Sequence, residues 1–235
     1  MTAGRLLGLG LLAAIAAGLL YLFGLFVMVL WLTVKNPGSS AFMNATLLEL
    51  RAHDPDARLE YEWVAYEDIS ENLKRAVVAS EDANFFEHTG VEWDAIRKAW
   101  EYNQRQAEKG NSRRRGGSTI TQQLAKNLFL SSSRSYVRKG KELVITYMIE
   151  LTMSKRRILE LYLNVAQWGT HVFGAQAAAK HYYKTTAARL NASQASRLAV
   201  MLPNPAFYDE NGATGYLNSR AATIRQRMRL VDVPD

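Results

Sequence analysis

Residues 6–34, LLGLGLLAAIAAGLLYLFGLFVMVLWLTV, carry no charged side chain. At about 1.5 Å per residue, a helix over this stretch exceeds the roughly 20 residues needed to cross a bilayer. A cleaved signal peptide has an apolar region of only about 7–15 residues. The run here continues well past AAIAAG, residues 13–18, the one place that imitates a cleavage site. The expectation is a retained membrane anchor. With Lys35, Asn36, Pro37 and Gly38 closing the span, residues 1–38 form a stub and transmembrane segment, and residues 39–235 form one soluble domain. Arg5 and the amino terminus oppose Lys35 across the span, which favours a cytoplasmic amino terminus by a small margin.

The chain contains no cysteine, so disulfides, thiolate metal sites and a cysteine nucleophile are all excluded. Its net charge of +7 is unevenly spread. Residues 42–96 hold four basic and thirteen acidic groups, whereas residues 97–141 hold twelve basic and two acidic groups. Most of such a run is a solvated face. The stretch RRRGGSTITQQLAKN, residues 113–127, differs because its charge lies beside two glycines and a helix start.

Beyond the anchor the periodicity is mainly helical. Residues 39–66 read as mixed, with RLEYEWVAYEDI the one extended piece. Ser70 caps a helix with Leu73, Ala76 and Val77 on one face, and EWDAIRKAWEYNQRQAEK makes another that ends at Gly110. Thr119 followed by Gln122 is a capping-box pair opening a third. Further helices are expected over 136–153, 155–168, 174–183, 187–202 and 219–230.

Four stretches carry the elements of a reaction centre. In SEDANFFEHTG, Glu81 and Asp82 end an apolar helix beside two phenylalanines and His88. A carboxylate desolvated against aromatic rings binds its proton more tightly, as a general base or acid requires, although a plain acidic helix end reads the same way. In GGSTITQQLAKN, Gly116 and Gly117 and the following helix start suit a phosphate or pyrophosphate, with Ser118, Thr121, Gln122, Gln123 and Lys126 as donors. The spacing is not that of a nucleotide P-loop. In RSYVRKGKELVITYMIE, Arg138 and Glu142 share a helix face, with Lys141 and Arg134 near it. Finally, SKRRILELYLNVAQWG places three cations at a helix start, against its dipole, which hints at an external anion or lipid headgroups.

Taken together, these stretches resemble the motifs of glycosyltransferase family 51, the peptidoglycan glycosyltransferases. The matching residues are Glu81-Asp82-x-x-Phe85-x-x-His88-x-Gly90, Gly116-Gly117-Ser118-Thr119-Ile120-Thr121-Gln122-Gln123, Arg138-Lys139-x-x-Glu142 and Lys155-x-x-Ile158-Leu159-Glu160-x-Tyr162-Leu163-Asn164, followed by RLAVMLPNP. The match covers roughly residues 65–205. With no room after it for a transpeptidase domain, the similarity is to the monofunctional branch.

The resemblance implies a mainly α fold: a lysozyme-like helical lobe plus a smaller membrane-associated lobe, on one N-terminal transmembrane helix. It implies an inverting transfer that polymerises lipid II onto a growing lipid-linked glycan strand and releases undecaprenyl pyrophosphate. By motif, Glu81 is the base and Glu142 the second catalytic carboxylate. Lys126, Arg134 and Lys141 steady the pyrophosphate, with Lys98 or Arg97 as a further contact, and Ser118, Gln122, Gln123 and Arg138 bind substrate. A divalent cation, Mg²⁺ or Mn²⁺, beside Glu142 is left open. The implied setting is the bacterial inner membrane, with the catalytic domain on its outer, periplasmic face and cell-wall synthesis or division proteins as potential partners. Nucleic acid is not expected, since the aromatics do not interleave with the basic run. Two other classes compete: a lytic transglycosylase-like glycan-cleaving enzyme, which needs no pyrophosphate cradle, and a non-enzymatic basic module that binds anionic lipid.

Overall fold

A computed structural model describes residues 3–112, 115–130 and 135–234. They divide into two compact units, residues 1–37 and 38–235. The first contains α1 (Ala3–Leu32), exposed along nearly its whole length, whose segment Leu7–Leu32 is long and apolar enough to cross a membrane. One N-terminal apolar helix of this kind is consistent with a single-pass anchor.

The second unit is mainly helical. It opens with α2 (Ala41–Arg51), capped by the Ser40 hydroxyl on the Met43 N–H at 3.1 Å. No helix was expected here, and the extended piece expected at 58–69 is reduced to β1 (Glu60–Tyr61) and one 3₁₀ turn (Tyr66–Asp68). Next come α3 (Glu71–Glu81), α4 (Trp93–Glu108), α5 (Ile120–Phe129), α6 (Tyr136–Thr152) and α7 (Lys155–Val165). Strand β2 (Val172–Phe173) runs parallel to β1 and leads into α8 (Ala175–Tyr183). The chain finishes with α9 (Ala192–Met201), α10 (Pro205–Asn211) and α11 (Gly215–Arg227).

Side-chain caps set most of these helix starts, because the first-turn N–H groups need acceptors. Ser70, Ser135 and Ser154 each accept from the N–H three residues on, and Thr119–Gln122 forms the complete reciprocal box. Two expected helices come out shorter. The one expected over 155–168 stops at Val165, because the Trp168 N–H bonds the Val172 carbonyl at 2.8 Å and turns the chain back. The one expected over 187–202 breaks at Asn191, whose side chain caps α9 anew.

The core forms two groups. Helices α3, α9 and α11 pack together, and α5 packs against α2, α6 and α7. Gly174, at φ +83°, allows α8 to begin against α7: a Cβ there would lie 2.7 Å from the Asn164 carbonyl oxygen. Asn164 is itself fully buried and clamps the chain before α3. Its amide oxygen accepts from the Val64 N–H and its amide nitrogen donates to the Val64 carbonyl, both at 2.9 Å. Helix α4 stands apart from these groups. It buries only Ala99 and leaves Trp93 and Trp100 each 60% exposed.

Candidate active site

The site lies where the C-terminus of α3 meets α5 and α7. Helix α3 ends at Glu81 because Asp82 leaves helical geometry. Asp82 is buried and fully engaged. Its two oxygens face His88 Nε2 at 2.9 and 3.0 Å, and Oδ2 also accepts the Ile120 N–H at 3.0 Å. A carboxylate thus sits at the positive end of α5, where the helix dipole favours it. The helix start expected to offer free donors to a phosphate is therefore largely occupied from within. Asp82 takes one N–H and the Thr119 hydroxyl takes that of Gln122 at 3.2 Å.

Gln122, expected to bind substrate, has a structural role in this fold. It is only 2% exposed, and its amide oxygen accepts the Thr119 N–H at 3.0 Å, so it builds the helix start. The neighbouring Gly117 also has a packing reason. A Cβ there would lie 2.9 Å from Ile96 Cα, so the missing side chain admits α4.

Glu81 points the other way, toward Gln123 one turn into α5. Gln123 Nε2 donates to Glu81 Oε2 at 3.0 Å, Ser80 Oγ donates to Oε1 at 3.4 Å, and the Tyr162 hydroxyl donates to Gln123 Oε1 at 3.0 Å. Because Tyr162 fills the amide oxygen, the amide nitrogen is the end presented to Glu81. Burial raises the proton affinity of the Glu81 carboxyl, and Asp82 adds to this; hydrogen bonds from Gln123 and Ser80 and the charge of Arg220 oppose it. Tyr162 is held as a neutral phenol, its pKa driven well up first by burial and then by the charges of Glu81 and Asp82.

Lys126 follows Gln123 by three residues and so shares its face of α5. Burial lowers its pKa; Glu142 works against this shift, while Arg138 and Lys139 reinforce it. Among the described residues its ammonium takes part in no hydrogen bond or ion pair, and the Phe42 ring lies 5.7 Å away. A cleft of about 220 Å³ is lined by Phe42, Gln123, Lys126, Tyr162 and Gln167. A second cleft of about 430 Å³, with Thr46, Glu49, His53 and Thr170 in its walls, shares Phe42 and Gln167 with it.

Glu142 is buried on α6 between two cations. Arg138 Nη1 donates to Oε2 at 2.7 Å and Lys139 Nζ donates to Oε1. Lys139 also donates to the Ser118 hydroxyl at 3.3 Å. Lys139 is thus the second cation on Glu142, and Lys141 is exposed. With both oxygens committed and Lys126 close by, this donor set does not suit a divalent cation, whose ligands are carboxylates, carbonyls and water free of competing positive charge.

Lys98 is exposed on α4, and Arg97 pairs with Asp94. Arg134, Arg113 and Arg114 lie outside the described residues. Arg115 is docked on α4, with its guanidinium 4.1 Å from the Tyr102 ring centre and its backbone N–H on Asn103 at 2.7 Å. The cations opening α7, expected to await an external anion, are matched internally. Lys155 meets Glu150 at 2.8 Å, Arg157 meets Glu160 at 2.6 Å, and Arg156 pairs with Glu67. Tyr162, Ser80, Lys139 and Arg220 were not among the expected site residues. Lys139 and Tyr162 did stand among the motif residues, and Lys139 had a local signal besides, its place three residues before Glu142.

Residues 49–229 match the family model described as Transglycosylase. The chain is 65% identical over 224 residues, covering 95% of it and 93% of the relative, to a biosynthetic peptidoglycan transglycosylase of Bordetella pertussis. It is 55% identical over 209 residues, 89% of each chain, to the protein of that description in Herminiimonas arsenicoxydans. It is 53% identical over 233 residues, 99% of each chain, to that of Azoarcus sp. strain BH72.

Proposed function

The chain belongs to the transglycosylase family, the peptidoglycan glycosyltransferases, and on that premise we propose that Glu81 is the base of its glycan-polymerising reaction and Lys126 its leaving-group cation. The substrate such an enzyme takes is lipid II. In the step, the 4-hydroxyl oxygen of the acceptor sugar bonds to the anomeric carbon of the lipid-linked donor. The bond from that carbon to the pyrophosphate oxygen breaks with inversion, the hydroxyl proton passes to the Glu81 carboxylate, and undecaprenyl pyrophosphate leaves with the bonding electron pair.

The observation that carries the reading is a half-buried carboxylate fixed by Gln123 on the same face of α5 as a cation that, among the described residues, makes no ion pair or hydrogen bond. Burial raises the proton affinity of Glu81, which makes its carboxylate a stronger base. Negative charge gathers on the pyrophosphate as it departs, and a preplaced ammonium in a partly desolvated cleft stabilises that charge without reorganising. Glu142 acts one step further out. It holds Arg138 and Lys139 beside the cleft, so that their charge adds to that of Lys126 on the leaving-group side. Arg134 and Lys141 belong to the same side by motif.

The smaller, membrane-associated lobe is assigned to α4 and the start of α6. Trp93 and Trp100 on α4, and Tyr136 on α6 at 98% exposure, support this, since amphipathic rings favour the bilayer interface. The catalytic unit is assigned to the outer face of the membrane.

The test is to incubate the full-length protein in detergent with labelled lipid II and to separate products by size. Polymer is expected from the wild type and none from Glu81→Gln. Polymer from a folded Glu81→Gln at the wild-type rate would remove Glu81 from the chemistry.

A further inference from the structure

Two of the four histidines in the chain meet one glutamate where β1 joins β2 and α8. His171 Nε2 lies 3.4 Å from Glu60 Oε1, and His181 Nδ1 lies 3.0 Å from Glu60 Oε2. The two imidazole rings are 5.6 Å apart and nearly perpendicular, at 81°. One ligand atom from each of the three residues lies within 4.8 Å of the others. From this geometry we propose that Glu60, His171 and His181 form a binding site for a divalent transition-metal ion of the zinc type.

Three features favour a metal over a plain ion pair. First, the spacing fits. A tetrahedral ion with bonds of about 2.0–2.1 Å separates its ligand atoms by about 3.3–3.4 Å, and one ligand atom from each of the three residues already lies within 4.8 Å of the others, so a small side-chain adjustment seats the ion. Second, the outer nitrogen of His181 is already oriented. His181 Nε2 faces Asp209 Oδ1 at 3.4 Å, and Asp209 is fixed by the Thr170 N–H and the Tyr182 hydroxyl, each at 2.8 Å. A carboxylate behind a ligating histidine sets its tautomer and strengthens it as a ligand. Third, the ligands stand on a rigid frame. The Glu60 N–H bonds the His171 carbonyl at 2.9 Å, so the strand pairing itself sets the distance between two of them.

Two imidazoles and a carboxylate suit Zn²⁺ better than Mg²⁺ or Ca²⁺. Glu60 is exposed, which gives the ion entry and leaves a fourth position to water. The consequence is a clamp joining the chain before α3 to α8, more than a hundred residues later. The other histidine–carboxylate group, Asp82, His88 and Glu92, differs in that its acids are spent. Asp82 serves His88 and the α5 start, and Glu92 accepts from Asn84 at 2.7 Å.

The experiment uses the full-length protein in detergent, carrying no polyhistidine tag and stripped with chelator. Zn²⁺ is titrated by calorimetry with Mg²⁺ in excess, and Co²⁺ by its visible absorption. The expected result is one ion per chain. His171→Ala and His181→Ala should each weaken binding by about 30-fold or more, and Asp209→Asn by about tenfold, within the range that outer partners of metal ligands command. His53→Ala should change nothing. Zn²⁺ should raise the melting temperature of the wild type but not of His171→Ala, whose unchanged metal-free melt shows that it folds. Absence of saturable binding would overturn the proposal. So would binding that survives both histidine variants, or that is lost only with His88→Ala.

Discussion

Replacing Gln123 with methionine tests whether Glu81 is poised by the hydrogen bond seen to it. The amide nitrogen donates to the carboxylate at 3.0 Å and favours its charged form. Methionine keeps the volume and removes the donor. A hydrogen bond to a charged group contributes about 1.5–3 kcal/mol, and one pH unit corresponds to 1.36 kcal/mol. The lower end applies here, because Glu81 is half-buried and water can partly replace the amide. Ser80, at 3.4 Å, is too distant to compensate. The acidic limb of kcat/KM for lipid II polymerisation should therefore move up by about one pH unit, with the plateau retained. Initial rates across the pH range measure it, and circular dichroism confirms folding. Tyr162→Phe is the companion: it keeps the donor but frees the amide to turn, so its limb should move by less. An acidic limb that stays in place in a folded Gln123→Met protein, or moves down, would refute the assignment of Glu81 as the base.

The same burial has a stability counterpart. A carboxyl whose folded pKa is raised binds its proton more tightly when native, so its ionisation costs stability as pH rises from the ordinary glutamate value of about 4.3 through the folded value. Glu81→Gln, inactive, should accordingly melt above the wild type at pH 8, with the difference closing as pH falls toward about 4; equal melting at both ends of a pH series would contradict the burial. Lys126→Met should lower kcat by about 10²–10³-fold, the loss typical of removing one preplaced charge donor, without lowering the melting temperature, since among the described residues no group pairs directly with the ammonium. A large fall in stability with little loss of rate would assign it a structural role. Asn164→Ala should cost about 3 kcal/mol by stranding the Val64 backbone, or about 6–12 °C in a thermal melt of a domain of this size. A shift under about 2 °C would show that the clamp is replaceable.

What the sequence made legible follows the distance over which each feature is determined. The caps read at Ser70 and Thr119 need only residues three apart, and each forms as its spacing implies; those at Ser135 and Ser154 follow the same local rule. Gln123 and Lys126 share a face for the same local reason. The fate of a charge is settled by partners far along the chain. Arg156 at the start of α7 is paired with Glu67, and Asp82 reaches Ile120, so the cation cluster and the helix start are largely engaged from within the fold. Tyr162 reads as one more apolar position on α7, yet through Gln123 it decides which end of an amide Glu81 meets.

Those long-range partners bear on the question the basic segment raises, which is where its excess positive charge is spent. From that segment Glu142 engages Arg138 and Lys139, and Asp94 pairs with Arg97. Lys126 is different because burial acts against its charge while Arg138 and Lys139, held near by Glu142, act in the same direction. A fold gains nothing from keeping such a cation without a carboxylate. On the proposed reading, the departing pyrophosphate supplies the missing charge as the glycosidic bond forms. Replacing Asn127, the adjacent cleft residue, with aspartate should therefore raise the stability of the resting enzyme and slow polymerisation together. A variant more stable and equally fast would break the link between the unpaired cation and catalysis.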